Sequence, residues 1–266
     1  MLTTELVPRY DEGGITTLTL NAPNTINALS EAMMAALGSQ LDRIVIDDAV
    51  RVVVIRGAGA HFCAGHNLKE MAARRSDADG GLGYFRALFQ TCSEVMLRIT
   101  QLPQPVIAEV SGIATAAGCQ LVAACDLAVA SNDARFATSG VNIGLFCSTP
   151  LVALSRTVAR KHAMEMLLTG GFIDAQQAVG MGLVNRAVPG AELADATRQL
   201  AVDIASKTPA AIKVGKRLFY DQATLSMEEA YAMAGEVMAC NMMADDTTAG
   251  IDAFINKRPM PEWRGK

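Results

Sequence analysis

The sequence predicts an α/β protein that ends in an all-helical region. Up to about residue 190, short β-branched runs alternate with segments whose apolar residues recur at helical spacing. Beyond residue 191 only the helical spacing continues. Hydrophobic residues fill 51% of the 266 positions and charged residues 19%, which is enough apolar material for a large core and too little charge for a disordered chain. We expect residues 1–190 to form the α/β core and residues 191–266 a helical extension, without a flexible linker.

Each predicted element rests on a local signal. Ser30 is the expected N-cap of the first helix, because its hydroxyl can accept hydrogen bonds from the free N–H groups of that helix. The polar, glycine-rich residues 74–83 are expected to form a mobile loop. The predicted strands are residues 15–20, 51–57, 105–112, 126–131 and 183–189, and the helices of this half are residues 31–45, 85–99 and 116–125.

Two later helix starts carry capping signals. Thr149 precedes Pro150, an arrangement favoured at an N-cap and first turn. Asp174 has Gln177 three residues on, which is a capping-box pattern. The methionine-rich helices near the C-terminus are typical of core or subunit-interface packing. Four helices are predicted there, at residues 193–207, 210–222, 227–243 and 247–257.

Charge and motifs exclude several classes of protein. With 23 Lys+Arg against 27 Asp+Glu, a net charge of −4 gives no general attraction for nucleic acid or anionic membrane. No stretch approaches the ~18 uncharged apolar residues of a membrane span. Six cysteines without a C-x-x-C pair predict buried, reduced thiols, and the first residues lack a signal core or an arginine-rich leader, so we expect a cytoplasmic protein. Three histidines without H-E-x-x-H predict no metal site, and Walker, dinucleotide and G-x-S-x-G motifs are missing.

Two turns of similar construction are the candidate functional site. VVVIRGAGAHFCAGHNLKEM (52–71) and VIAEVSGIATAAGCQLVAAC (106–125) each pass from a strand through small residues, and the second enters an apolar helix. Small residues let another molecule approach backbone N–H groups, and a helix N-terminus favours negative charge. Two converging N–H groups would form an oxyanion hole. Tight helix–strand packing explains each turn separately and stays an alternative.

Ordered motifs along nearly the whole chain resemble those of the crotonase (enoyl-CoA hydratase/isomerase) superfamily. LNAPNTINALS is similar to the family's early N-A-L-S segment, HFCAGHNLKEM to its A-G-x-D-[LI] turn, and SGIATAAGCQLVAACDLAVAS to its G-x-x-x-G-G-G-x-E-L helix entry. ARFATSGVNIGL, FIDAQQAVGMGLVNRAVP and FINKRP also match. The ATAAGCQLVA and GLFCSTP segments are similar to the branch of the enoyl-CoA hydratase domain-containing 3 proteins.

The resemblance implies a spiral of ββα units with a helical C-terminal region for trimer contacts, often within a dimer of trimers. Its ligand would be an acyl-CoA thioester, with coenzyme A present only as part of the substrate and no metal. The backbone N–H groups of His66 and Ala117 would hold the thioester oxygen. Coenzyme A would lie along Ala28, Ala64, Gly65, Asn67, Leu68 and Ala116, with Lys69 and Lys257 toward its phosphates.

The sequence departs from the family pattern at the acid–base positions. Family hydratases use two glutamates where this chain has Gln120 and Gly140, and the aspartate of the first turn is Asn67. A neutral amide does not exchange a proton at physiological pH and glycine has no side chain, so we expect impaired water addition. Glu109, Cys147 and the His66 imidazole stay open as substitutes, although such carboxylates and thiols are more often structural, and Asn142 is expected to hold its loop.

Three classes of function stay open. The full-length resemblance implies an enzyme that stabilises an acyl-CoA enolate, nominally an enoyl-CoA hydratase/isomerase. The AGHN and VNIG segments are also similar to the methylmalonyl-CoA decarboxylase branch, whose reaction forms the enolate by losing CO2 and needs no base. Thioester hydrolysis lacks an evident nucleophile. The third class is a non-catalytic acyl-CoA binder or assembly subunit, since a fold does not decide a reaction.

Overall fold

The computed structural model describes residues 5–265, in which strands and helices alternate up to the last strand and only helices follow. The α/β expectation is therefore confirmed. The strands are β1 Arg9–Glu12, β2 Ile15–Leu20, β3 Val52–Gly57, β4 Val106–Val110, β5 Ile113–Thr115, β6 Leu127–Ser131, β7 Arg135–Ala137, β8 Ile173–Asp174 and β9 Arg186–Val188. The helices are α1 Glu31–Ile44, α2 Leu68–Ala73, α3 Leu82–Gln101, α4 Ala117–Ala124, α5 Ser148–Thr157, α6 Arg160–Thr169, α7 Ala175–Met181, α8 Leu193–Ala205, α9 Pro209–Asp221, α10 Met227–Met242 and α11 Asp245–Ile255.

The strands form two layers that together make a spiral. The main sheet runs β1-β2-β3-β4-β6-β9 and is parallel except for the β1–β2 pair. After leaving this sheet, the chain makes a short crossing segment before each helix, and these segments pair with one another. Leu29 bridges to His66, Cys63 bridges to Ala114, and β5 pairs with β7. The consecutive β4, β5 and α4 are thus one ββα unit, with its turn between the two layers.

Both faces of the main sheet are buried, which explains the continuous apolar runs of its strands. In β3, Val53 and Ile55 face the larger core, which also contains residues of α1, α3 and α4. Val52 and Val54 face the opposite way and pack with Leu193 and other residues of α8. Because α8 covers the second sheet face, the helical region begins as a layer of the core. The boundary at residue 190 stays a prediction.

Local capping signals are confirmed in two places and wrong in one. The Ser30 hydroxyl accepts from the N–H of Met33, and the Asp174–Gln177 capping box is present. The expected cap at Thr149 is wrong, because α5 already begins at Ser148 and Cys147 occupies the N-cap position without a side-chain bond. The first residue of α5 depends on the path of the preceding loop, which the local sequence does not show.

Three further expectations need revision. Residues 74–83 contain a 3-10 turn at Arg74–Ser76 and a tight turn in which the Asp79 carboxylate accepts from two N–H groups, so α3 begins earlier than expected. The mobility of that segment stays a prediction. Five of the six cysteines are buried as expected, but Cys240 is exposed on α10. The edge strand β1 was not predicted, because its residues RYDE lack an apolar pattern.

A mostly buried ion pair fixes α9 to the core. The Lys216 ammonium donates to the carbonyl oxygens of Ile99 and Gln104 and to the Asp126 carboxylate at 2.6 Å. The Tyr220 hydroxyl donates to the other oxygen of Asp126, and burial together with that carboxylate raises the pKa of the phenol. Every polar atom of this pair therefore has a partner, as a buried charge requires.

Lys216→Ala should destabilise the fold by about 3 kcal/mol, because it leaves the Asp126 carboxylate buried without its cation. The measurement is the free energy of unfolding in urea. Lys213→Ala is the matched control, since Lys213 is exposed on the same helix. Equal stability of the two variants would contradict this role of the ion pair.

Candidate functional site

The two predicted turns lie side by side in the structure. The N–H of Thr115 donates to the carbonyl of Cys63 at 3.0 Å, and the N–H of Cys63 donates to the carbonyl of Ile113 at 3.0 Å. Gly118, in the first turn of α4, packs so closely on this ladder that a Cβ there would clash with the Cys63 carbonyl. Glycine at position 118 is therefore a condition for the two turns to meet.

Two backbone N–H groups at this junction are free to bind a ligand. Ala117 is the first residue of α4, so its N–H lies outside the helical hydrogen-bond ladder. At the first turn, the carbonyl of Gly65 accepts from Leu29, while the N–H of His66 takes no part in that bond. Among residues 5–265 neither N–H has an acceptor. His66 and Ala117 line the same cavity.

The backbone at this junction is strained. Ala116 adopts φ 50° and ψ −118°, a conformation that L-residues rarely occupy, and its N–H donates to the carbonyl of Ala137. Across from it, Gly65 has φ 89°, and a Cβ there would lie 3.0 Å from the Ala116 Cβ and 3.1 Å from the Ala117 nitrogen. Strain of this kind persists where surrounding structure enforces it, most often at functional sites.

The cavity has a volume of about 390 Å³ and mostly apolar walls. In the described part of the chain, no Asp, Glu, Lys or Arg side chain lines it. Sequence reasoning missed most of its walls, because they come from three separate segments that only the fold brings together. The lining residues are Ala64, His66, Leu68, Met71, Phe89, Ala116, Ala117, Ser139, Gly140, Ile143, Leu145, Phe146, Cys147, Ser148, Thr149 and Pro150.

His66 is one of the residues that line this cavity. Its Nδ1 lies 3.4 Å from the Leu29 carbonyl oxygen, and its ring packs edge-to-face against Phe89 with centroids 5.6 Å apart. Its Nε2 is buried and lacks a hydrogen-bond partner among residues 5–265. Burial lowers the pKa of the imidazole below its usual 6.5, while the Leu29 carbonyl opposes that shift.

The two positions at which the resemblance implies glutamates have different surroundings. Gln120 is 4% exposed, its Oε1 has no partner among the described residues, and it does not line the cavity. Gly140 lines the cavity, but a Cβ there would clash with the Leu145 carbonyl and lie 2.9 Å from Cys147 Sγ. The loop 139–147 therefore fills the space that a side chain at position 140 would need.

The remaining candidates divide by location. The cavity is lined by Ala64, Leu68 and Ala116, whereas the buried Ala28 and the exposed Lys69 and Lys257 are not among its lining residues. Their binding roles stay predictions. The cavity does not include Gly65 or Asn67 either; Gly65 packs behind it, and Asn67 caps α2 by accepting from the N–H groups of Lys69 and Glu70.

Two further residues have structural positions. Glu109 lies away from the cavity, with Arg56 at 4.0 Å and α8 residues nearby, and burial raises the pKa of its carboxyl group. Asn142 donates to the carbonyl of Gly170 at 3.1 Å and so holds the loop to the end of α6. Within residues 5–265, no three potential ligands group closely enough for a metal ion, and every helix is too short or too polar to cross a bilayer.

The chain belongs to the enoyl-CoA hydratase/isomerase family, whose family model matches residues 11–266. Within that family it is similar to Enoyl-CoA hydratase domain-containing protein 3, mitochondrial, of Rattus norvegicus, with 44% identity over 97% of this chain and 84% of the rat protein. An enoyl-CoA hydratase of Mycobacterium smegmatis has a TM-score of 0.92 and 54% identity, covering 97% of this chain and 98% of that one. Human enoyl Coenzyme A hydratase domain-containing protein 3 has a TM-score of 0.92 and 44% identity, covering 97% and 100%. The expected crotonase fold and branch are confirmed.

The expectation of a cytoplasmic protein is wrong. Relatives from Rattus norvegicus, Xenopus laevis, Mus musculus and Homo sapiens, all 44–45% identical to this chain, are named as mitochondrial proteins. The expectation depended partly on the free cysteines. Free thiols argue against an oxidising compartment but do not distinguish one reducing compartment from another.

Gly140→Ala should destabilise the protein by about 1–3 kcal/mol, because its Cβ must displace the backbone of the 139–147 loop. The free energy of unfolding in urea measures the effect. Gly180→Ala is the control, because a Cβ at this position in α7 meets no atom within 4 Å, and it should leave stability unchanged or slightly increased. A Gly140→Ala variant as stable as the parent would show that the loop moves aside at no cost in free energy, which would contradict this prediction.

Proposed function

We propose that this protein binds acyl-CoA thioesters and stabilises the enolate formed from them. The observation that carries the proposal is a pair of N–H groups, at His66 and Ala117, that line one cavity from adjacent turns and have no acceptor in the described part of the chain. A thioester oxygen placed between them would accept two hydrogen bonds. Those bonds strengthen as the oxygen gains negative charge, so they favour the enolate over the ground state.

The surroundings of these donors suit that role. Walls formed by Phe89, Leu145 and Phe146 are apolar and lower the local dielectric, which increases the energy of each hydrogen bond to a developing charge. The helix dipole of α4 ends at Ala117 and adds a partial positive charge at the same point. The donors are held by the backbone, so little reorganisation is needed when charge develops.

The coenzyme A portion is assigned to the rim of the first turn. Small or apolar residues there allow the pantetheine to pass close to the backbone, and the exposed Lys69 offers charge for the phosphates. Lys257 would join them from the segment that follows α11, either of the same chain or of a neighbouring copy. The remaining assigned contacts are Ala28, Ala64, Gly65, Asn67, Leu68 and Ala116.

A second candidate reaction is the decarboxylation of a malonyl-type acyl-CoA. It is favoured by a cavity that, within the described residues, contains no carboxylate to act as base. Loss of CO2 leaves its electron pair on the α-carbon, so the enolate forms without proton removal. Ordinary hydration should be impaired, since Gln120 is neutral and Gly140 has no side chain.

The C-terminal helices supply the proposed assembly contacts. Five large apolar side chains of this region are between 71% and 82% exposed, which is unusual for a surface in contact with water. We assign these exposed side chains, Met227, Tyr231, Met238, Met243 and Phe254, to the contacts of a homotrimer or a dimer of trimers.

A substrate panel tests the reaction. Crotonyl-CoA, a malonyl-type CoA and a saturated acyl-CoA are offered to the purified protein, with water addition, CO2 release, free thiol and binding as readouts. Ala117→Pro removes one donor and places a ring carbon where that N–H pointed, so it should lower turnover by about 100- to 1000-fold. Arg160→Pro, at the first position of α6, should retain full activity.

If the protein binds all three substrates but turns over none, its function is acyl-CoA binding and not catalysis. Failure of all three acyl-CoA compounds to bind would overturn the proposal. Ala117→Pro with unchanged turnover would remove the N–H of Ala117 from the mechanism.

The native mass tests the assembly. We expect light scattering to give three or six times 28.1 kDa, and Met238→Glu to shift the protein toward the single-chain mass by placing a charge in the contact. Ile46→Glu, at a position 83% exposed outside the C-terminal helices, should leave the mass unchanged. A wild-type protein at 28.1 kDa would contradict the assignment.

A further inference from the structure

Proton transfer in this cavity has few possible carriers. Of the residues that line it, only His66 and Cys147 have side chains that titrate, as far as residues 5–265 show. Burial raises the pKa of the Cys147 thiol, so at neutral pH it keeps its proton and cannot act as a base. The His66 imidazole is left as the group that can accept a proton from a bound ligand.

The ring is held in one orientation with one nitrogen unused. A carbonyl oxygen only accepts hydrogen bonds, so the contact of Nδ1 with the Leu29 carbonyl assigns the ring hydrogen to Nδ1. Nε2 then carries a lone pair, and it is buried without a partner in the described chain. Edge-to-face packing on Phe89 restrains the ring plane. An unpaired buried nitrogen is unfavourable by itself, which points to a ligand atom as its partner.

The ring and the oxyanion donor belong to the same residue. A carbonyl oxygen bound by the N–H of His66 therefore keeps the ligand's α-carbon close to the His66 side chain. The N–H of Ala117 donates a second hydrogen bond to the same carbonyl oxygen, and the two bonds together fix the orientation of the carbonyl. The α-proton is the one whose removal the oxyanion hole assists, because its electron pair moves to the carbonyl oxygen.

The surroundings keep the imidazole neutral near pH 7. Burial is the main cause that lowers its pKa, and no charged side chain contributes to the shift. The other titratable groups on the elements packed against His66 do not line the cavity. They include Glu31 of α1, Lys69 and Glu70 of α2, and Tyr84, Arg86 and Cys92 of α3. A neutral imidazole with a free Nε2 is the form required of a general base.

We propose that the His66 imidazole is a catalytic acid–base group, and that it serves a 1,3-proton shift in β,γ-unsaturated acyl-CoA thioesters with apolar chains. The inference rests on the proposed function, since the two N–H groups must hold the thioester. Nε2 removes the α-proton, and the C–H electron pair becomes a dienolate on the bound oxygen. The Nε2–H then returns the proton to the γ-carbon while the double bond moves to the α,β position. Neither water nor an oxidant is consumed.

One group is enough for this reaction. The proton that leaves the α-carbon is the proton that arrives at the γ-carbon, so neither of the family's two carboxylates is needed. The apolar walls at Ile143, Leu145 and Phe146 suit a hydrocarbon chain.

Two assays on the purified full chain test this role. Octanoyl-CoA in D2O reports α-proton exchange by mass spectrometry, and 3-hexenoyl-CoA reports the double-bond shift by absorbance. Wild type should do both, and His66→Gln should lower each rate at least about 100-fold while the affinity for octanoyl-CoA stays within about threefold. In wild type, kcat/KM should fall as pH decreases through a pKa below 6.5, because the base must be neutral, and this inflection should vanish in His66→Gln.

His162→Gln is the matched control. His162 also has a buried ring nitrogen without a partner among the described residues, but it does not line the cavity, so both rates should be unchanged. Recovery of His66→Ala activity by added imidazole supports the proposal through a readout that a structural role would not produce.

The outcomes separate this inference from the proposed function. Wild type that binds octanoyl-CoA but catalyses neither exchange nor the shift overturns the imidazole role and leaves acyl-CoA binding in place. His66→Gln with rates within about threefold of wild type also overturns it. No binding of either acyl-CoA overturns the proposed function and this inference together.

Discussion

The site depends on the close contact between two turns that are far apart in the chain. The Cys63–Ala114 ladder joins them, and glycines 65 and 118 let the backbones approach to a distance that a side chain would prevent. This contact holds Ala116 in a rarely populated conformation. It also leaves the N–H groups of His66 and Ala117 without partners among residues 5–265. The strain and the unbonded donors are therefore two consequences of one packing arrangement.

The cavity beside these donors has mostly apolar walls. The loop 139–147 folds over Gly140 so closely that a side chain is excluded, and its apolar residues become walls. Gln120 is buried in α4, and its Oε1 has no partner among residues 5–265. Backbone electrostatics are thus retained while side-chain carboxylates are missing from the lining of the described chain. Such a site suits chemistry in which one carbonyl oxygen collects the charge.

Sequence reasoning succeeded where the determining interactions are local. The Ser30 cap and the Asp174–Gln177 box depend on residues three apart, and both occur as predicted. Strand β3 was recognisable because burial on both faces requires an unbroken apolar run. Ordered motifs were sufficient to predict the family and its fold.

The errors arose where distant segments decide the outcome. The first turn of α5 depends on how the 139–147 loop arrives, so Thr149 could not be identified as an interior position from its neighbours. The walls contributed by Met71, Phe89 and Phe146 come from three elements that meet only in the folded chain. The orientation of the His66 ring depends on Leu29 and Phe89, which lie 37 and 23 positions away in sequence. Compartment was wrongly inferred, because thiol chemistry alone does not specify it.

The central claim is that one thioester oxygen accepts hydrogen bonds from both turns at once. Infrared difference spectroscopy of octanoyl-CoA carrying a 13C-labelled thioester carbonyl measures this directly in the bound complex. Two aligned donors should polarise the bond and lower its stretching frequency below that of the same thioester in water. A frequency equal to or above the value in water would mean that the carbonyl lies in an apolar space without those donors, and would contradict the account.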